Sequence, residues 1–118
     1  MQAKKDLRFK RKFRIRKKIR GSAVRPRLTV FKSNRHFTIQ VIDDDAGKTI
    51  VSANSVEKDL RSKFKSNNIT AAGELAAIVA ERAKSKGITK MVFDRNGYVY
   101  HGRVKKIAES LRENGIEI

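Results

Sequence analysis

The chain has 118 residues and a formal net charge of +17, from 29 Lys and Arg against 12 Asp and Glu. That length fits one domain, or one domain with a tail, and no apolar run approaches the roughly 18 residues that span a bilayer. The lack of cysteine excludes disulfides, thiolate metal sites and cysteine nucleophiles and fits a reducing, cytoplasmic setting; nor does the N-terminus read as a secretory signal, since no apolar stretch follows its charges.

The charge is uneven. Residues 1–20 carry Lys4, Lys5, Arg8, Lys10, Arg11, Lys12, Arg14, Arg16, Lys17, Lys18 and Arg20 against the single acid Asp6, so ten of the seventeen net charges sit in one-sixth of the chain. Residues 21–118 hold the other eighteen basic and eleven acidic side chains, a net of +7. Such a segment repels itself and cannot bury enough apolar surface to offset its chain entropy. It settles on a polyanion, and nucleic acid is the leading candidate, because its phosphates are closely spaced and release condensed counterions on binding. The bland alternative is a solvated tail of no consequence, which clusters this dense seldom are. Leu7, Phe9, Phe13, Ile15 and Ile19 scatter around a helical wheel with cations on every side, whereas a membrane-seeking helix needs one clean apolar face. All five are odd-numbered, as in a strand, yet Arg11 and Lys17 interrupt that face and leave the conformation open. The expectation is a basic arm over residues 1–24, disordered when free and helical on the polyanion.

Gly21-Ser22 and Arg25-Pro26-Arg27 separate this arm from a body over 25–118, with Pro26 holding Arg25 in extended geometry. A first strand is predicted over 28–32, a turn over 33–35, and a second strand over 37–43. In the second, Phe37, Ile39 and Val41 alternate with Thr38, Gln40 and Ile42. Asp44-Asp45-Ala46-Gly47 turns into a third strand over 49–53, giving an antiparallel meander. Val56, Leu60 and Phe64 lie at helical spacing behind Ser55, and 62–68 reads as loop. Thr70 is placed to cap a stronger helix with Ala72, Leu75, Ala76, Val79 and Ala83 on its apolar face, ended by Gly87. A fourth strand over 88–93 follows by a crossover, parallel to a neighbour. A last helix over 102–114 turns Val104, Ile107, Ala108 and Leu111 inward and stops at Gly115. The fold class is α/β: one mixed sheet in the order arm-β-β-β-α-β-α, with helices packed on it.

Two loops carry residue types suited to RNA. Lys32-Ser33-Asn34-Arg35-His36 is a donor-rich turn between strands. The segment from Asp94 to Arg103 leads into a helix whose free N–H groups suit a phosphate. In it Tyr98 and Tyr100 offer faces for stacking beside Arg95 and Arg103, although a packing role is about as common for a single tyrosine. Gly97 and Gly102 admit backbone geometry that a side chain would block. A two-metal nuclease would place carboxylates at strand ends, as Asp43, Asp44, Asp45 and Asp94 are, but consecutive Asp residues before a glycine are ordinary turn chemistry. His36 and His101 have no partner at a telling spacing, and no phosphate loop or dinucleotide motif is present. No enzyme is called for.

The stretch Arg25-Pro26-Arg27-Leu28-Thr29-Val30-Phe31-Lys32-Ser33-Asn34, with His36 and Gln40-Val41-Ile42-Asp43, resembles the first signature of the bacterial large-subunit ribosomal protein eighteen family. Phe93-Asp94-Arg95-Asn96-Gly97-Tyr98-Val99-Tyr100-His101-Gly102-Arg103-Val104-Lys105 resembles its second, and the likeness covers essentially the whole chain. Asn96 stands where the family commonly has a second glycine, a mild departure, because Asn tolerates left-handed geometry. The resemblance implies a mixed sheet flanked by helices and a structural role in the large subunit. There the chain would bind 5S rRNA and help attach it to 23S rRNA in the central protuberance, beside neighbouring ribosomal proteins. The implied RNA-binding residues are the eleven arm cations, Arg25, Arg27, Lys32, Ser33, Asn34, Arg35 and His36, then Arg95, Asn96, Tyr98, Tyr100, His101 and Arg103. No cofactor, metal, membrane or small-molecule substrate is implied. A general nucleic-acid chaperone and a metal-dependent nuclease are the alternatives from other classes.

Overall fold

Alternating apolar residues and tight polar turns build the sheet first. The computed structural model describes residues 2–32, 37–55, 57, 69–98 and 100–118. Strands β1 (Arg27–Lys32), β2 (Phe37–Asp43) and β3 (Lys48–Asn54) form the antiparallel meander. In β2, Phe37, Ile39 and Val41 are buried, while Thr38, Gln40 and Ile42 alternate with them and are less covered, as a period of two requires. The predicted turn over 33–35 and the Leu60–Phe64 part of the short helical segment lie outside the described residues, as does Val56.

Helix α2 (Ile69–Lys84) crosses over to β4 (Val92–Asp94), which pairs parallel with β1, so the sheet order is β3-β2-β1-β4. The five predicted core positions of α2 are all buried, and Ala71, Gly73 and Ala80 join them. The wider buried arc arises because α3 (Arg103–Glu113) covers the flank of α2 that the sheet leaves open. There the Ser110 hydroxyl donates to the Gly73 carbonyl at 2.7 Å, and Val104, Ile107, Ala108 and Leu111 are fully buried. Small side chains on α2 permit this approach.

Two boundaries differ from the sequence expectation. Thr70 lies inside α2 rather than capping it. The strand expected over 88–93 is shorter, and only Val92–Asp94 pairs with β1. Upstream, the Ile88 N–H donates to Ala83 O in the C-terminal turn of α2. The Met91 N–H donates to Glu117 O, and the Glu117 N–H to Thr89 O, so the chain end takes the hydrogen bonds that a longer β4 would have used. Residues 2–18 form helix α1, whose seat is described below.

Leu28, fully buried at the centre of the sheet, tests this core. Leu28→Ala should lower unfolding free energy in urea by about 2–5 kcal/mol, from lost transfer energy plus the cavity left behind.

Candidate nucleic-acid interface

On β1, Leu28 and Val30 face the helices, so Arg27 and Thr29 face the opposite side of the sheet. Arg27 is 8 % exposed, and its guanidinium is spent inside the protein. Nε and Nη2 donate to Asp44 at 2.9 and 3.0 Å, and Nη1 donates to Asp94 at 2.7 Å. Asp44 also accepts the Gly21 N–H at 2.7 Å. Its carboxyl is held below the ordinary value of 3.8 by the Arg27 hydrogen bonds, with smaller help from the Gly21 N–H and the charges of Arg27 and Arg20, against the opposing effect of burial. The same carboxylates raise Arg27 further above its ordinary value.

Asp94 is fully buried and organises the loop after β4. Its second oxygen accepts the Asn96 N–H at 2.8 Å, and the Asn96 side-chain amide donates to Val30 O at 3.1 Å. Asn96 sits at φ +53°, the left-handed geometry that glycine takes readily, with its side chain fully buried. Asn supplies here an anchor to β1 that glycine would lack. Tyr98 reaches the same strand: its hydroxyl donates to Lys32 O at 3.2 Å and accepts the Lys32 N–H at 3.3 Å.

Helix α1 docks on this loop by polar contacts, which is why its apolar residues give no readable stripe. The Arg8 guanidinium lies 4.2 Å from the Tyr98 ring centre, and its Nε donates to Asn96 O at 3.3 Å. Arg16 comes within 3.8 Å of Asp94. Gly97, at φ +78°, lies against the α1 backbone: a Cβ there would collide with the Arg8 carbonyl oxygen and come within 3.1 Å of the Lys12 nitrogen. The connection after α1 is tied down as well. Asp44 N–H donates to Gly21 O at 3.2 Å, Arg25 Nε donates to Met91 O at 3.3 Å, and exposed Arg20 pairs with Asp45 at 3.1 Å.

The remaining cations crowd together. Lys12 is held below its ordinary pKa by burial and by the charges of Arg16, Arg8 and Arg27, which Asp94 only partly offsets. Lys32 is lowered by burial and by Arg103 and Arg8. Arg11, Arg14, Lys18 and Arg95 line a groove of about 180 Å³ with Ile15. Lys10, Lys17 and Arg25 are exposed.

The predicted RNA residues therefore separate. Arg27, Asn96 and Tyr98 face inward and build the seat. Tyr100 is 42 % exposed, its ring edge-on to Phe93 at 6.3 Å, and His101 beside it is exposed. Arg103 reaches over the Phe37 ring at 5.2 Å. Arg95 donates to Tyr98 O at 2.9 Å while lining the groove. Ser33, Asn34, Arg35 and His36 lie outside the described residues, and of the side chains of Lys4 and Lys5 nothing further is described. Sequence reasoning missed Asp44 and Asp94 as anchors; the spacing of Asp94 and Asn96, suited to an Asx turn, was the available signal.

The carboxylates do not form a metal centre. Asp43 accepts the N–H groups of Asp45 and Ala46 in a turn, and Asp44 and Asp94 are paired with Arg27. Among the described residues no cluster of three or more His, Asp or Glu is placed to hold a metal ion. Nor, among them, is any helix long and apolar enough to cross a membrane.

Three outcomes follow from this geometry. Arg27→Ala should cost about 3–5 kcal/mol in urea unfolding, because it strands the buried Asp94 charge. Asp44 is depressed in the folded state, so its stabilisation is full above its unfolded pKa and is lost as pH falls through the lower folded value. Thermal melts between pH 6 and pH 2 should show this loss, and Asp44→Asn should flatten that part of the profile. Arg8→Ala removes a cation–π contact worth about 0.5–2 kcal/mol. Trypsin should then cut within α1 about 2- to 30-fold faster, because cleavage follows the opening equilibrium, while the melting temperature of the body holds.

Comparison with known proteins completes the description of this surface. Residues 2–118 match the family described as ribosomal L18 of archaea, bacteria, mitochondria and chloroplast. A protein of Kosmotoga olearia is 52% identical over 115 residues, covering 97% of this chain and 94% of that protein. One from Solibacter usitatus is 54% identical over 114 residues, with 97% and 94% covered. A third, from Thermotoga petrophila, is 50% identical over 117 residues, with 98% and 96% covered. All three carry the name large ribosomal subunit protein uL18.

Proposed function

The chain belongs to the ribosomal L18 family, and we propose that its work in the large subunit is to bind 5S rRNA and help fasten it to 23S rRNA. Membership makes it a structural constituent of the large ribosomal subunit in the bacterial cytoplasm and not an enzyme. The RNA assignment goes further, and one observation carries it: the fold brings the cations of α1 and the neighbouring loop together, with Arg11, Arg14, Lys18 and Arg95 around one groove. Like charges pressed together cost energy that a polyanion relieves.

The proposed mechanism is positioning without chemistry, and it divides the labour. Residues 25–118 are the folded body, and Arg27, Asp44, Asp94, Asn96 and Tyr98 hold the seat in shape. Residues 1–24 are the arm. Its docking contacts are few and polar, so the free arm opens readily and RNA consolidates it as counterions leave. Exposed Lys10, Arg14, Lys17 and Lys18 follow the phosphates, with Lys4, Lys5, Arg11, Lys12, Arg16 and Arg20 in the same helix or its continuation. Arg25, Lys32, Arg95 and Arg103 extend this surface on the body, and Ser33, Asn34, Arg35 and His36, outside the described residues, are assigned to RNA from the sequence. Tyr100 and His101 present flat, exposed rings to the RNA, and neighbouring ribosomal proteins complete the surroundings.

A salt titration of binding to 5S rRNA, beside a structured RNA of equal length, tests the reading. If about 6–10 phosphates are neutralised, log K should fall against log salt with a slope of roughly −5 to −9, and removing residues 1–24 should flatten it. Preference for 5S rRNA that persists at high salt supports recognition by the body. Equal binding to both RNAs would sink it and leave a general nucleic-acid chaperone. Tyr100→Ala should weaken binding by about 1–3 kcal/mol with an unchanged melting temperature, whereas Tyr98→Ala should lower the melting temperature.

A further inference from the structure

Helix α1 carries a feature that neither its charge nor its docking explains. Phe9 and Phe13 are 52 and 59 % exposed, although Arg8 and Arg16 seat the helix on the body. Their rings lie 6.1 Å apart, tilted by 33°, with the Lys12 ammonium 5.6 Å from the Phe9 ring centre. Positions 9, 13, 16 and 17 follow the i, i+4, i+7, i+8 spacing of one helical stripe. The aromatic pair therefore continues directly into exposed Lys17, with exposed Lys10 alongside, while Arg16 on the same stripe pairs with Asp94.

We propose that Phe9 and Phe13 form a stacking platform for an unpaired base of the bound RNA, with the adjoining cations holding the phosphates on either side of it. This rests on the RNA-binding reading and deepens it. A cationic helix alone follows any phosphate backbone and supplies no reason to expose two phenyl rings to water. Those rings add what phosphate contacts lack, a flat apolar face that a base can cover. Bases inside a duplex are already stacked, so the occupant is a base in a loop, bulge or end. The charge around the pair selects a polyanion over an apolar protein surface. The pair also differs from Tyr98 of the body, whose face is taken by Arg8 and whose hydroxyl by Lys32, whereas both phenyl rings are more than half exposed.

The test uses the full chain and a 5S rRNA transcript. Phe9→Ala/Phe13→Ala and Phe9→Leu/Phe13→Leu are titrated at several salt concentrations beside the parent. Both replacements have higher helix propensity than Phe, so weaker binding cannot come from loss of α1. The expected result is an affinity drop of about 5- to 150-fold for each double variant, with the parent's salt slope and melting temperature kept. The chain has no tryptophan, so Phe13→Trp provides a single reporter whose emission should be quenched when the transcript is added. Parent-like affinity of the leucine variant overturns the platform while leaving RNA binding intact, whether the cause is an apolar contact or a protein neighbour covering the pair. Unquenched emission at saturating RNA overturns it too. Loss of 5S preference in the parent is a separate result, and it removes the functional reading together with the platform.

Discussion

The Arg27 guanidinium is the interaction on which the rest of this structure depends. It bridges Asp44, in the turn between β2 and β3, and Asp94, at the end of β4. Arg27 and Asp94, 67 residues apart in the chain, are thereby held on one side of the sheet. A carboxylate as buried as Asp94 is tolerated only when paired and hydrogen-bonded. Once Arg27 satisfies one of its oxygens, the other is free to turn the chain at Asn96. Asn96 then reaches back to β1, Gly97 opens room for a helix backbone, and Tyr98 closes the loop on Lys32. The seat of α1 is the last step in that series.

The same pairing sorts the charges of a strongly basic protein. Acids near the seat are consumed by interior pairs and turns, so they do little to neutralise the cations outside. Those cations are brought together by the fold: Arg8 meets both Tyr98 and the surroundings of Lys32, and Arg95 joins Arg11, Arg14 and Lys18 around a groove. A membership shown over residues 2–118 and a surface of this sign point the same way. In the proposed function the body keeps its shape while the arm conforms to RNA, and the seat is where the two meet.

The two signature stretches take on separate physical work in this arrangement. Arg25 to Lys32 is largely β1, one of the two inner strands, and its Arg27 serves the interior. The segment from Asp94 to Arg103 is mostly scaffolding in its first half, where Asp94, Asn96 and Tyr98 make internal hydrogen bonds, and more open in its second, where Tyr100 and His101 are exposed. A residue type suited to RNA is therefore an incomplete guide to exposure. Arginine is equally suited to bridging two carboxylates, and only its surroundings decide between the uses.

The sequence by itself determined the class of fold, the element order and most of the core. Period-two alternation in β2, the alanine-rich face of α2 and the apolar face of α3 are local patterns, and burial follows local patterns closely. Glycines at 87 and 115 ended helices where expected, both at positive φ. The concentration of charge in residues 1–20 is likewise a property of the sequence alone. Only the tertiary structure decided the shortness of β4, because its hydrogen bonds go to a chain end more than twenty residues away. It alone decided that Arg27 turns inward and that α1 docks through Arg8 and Arg16 rather than through an apolar stripe. Those outcomes depend on which carboxylates and rings arrive opposite a given side chain, and periodicity along one segment carries no record of what lies across from it.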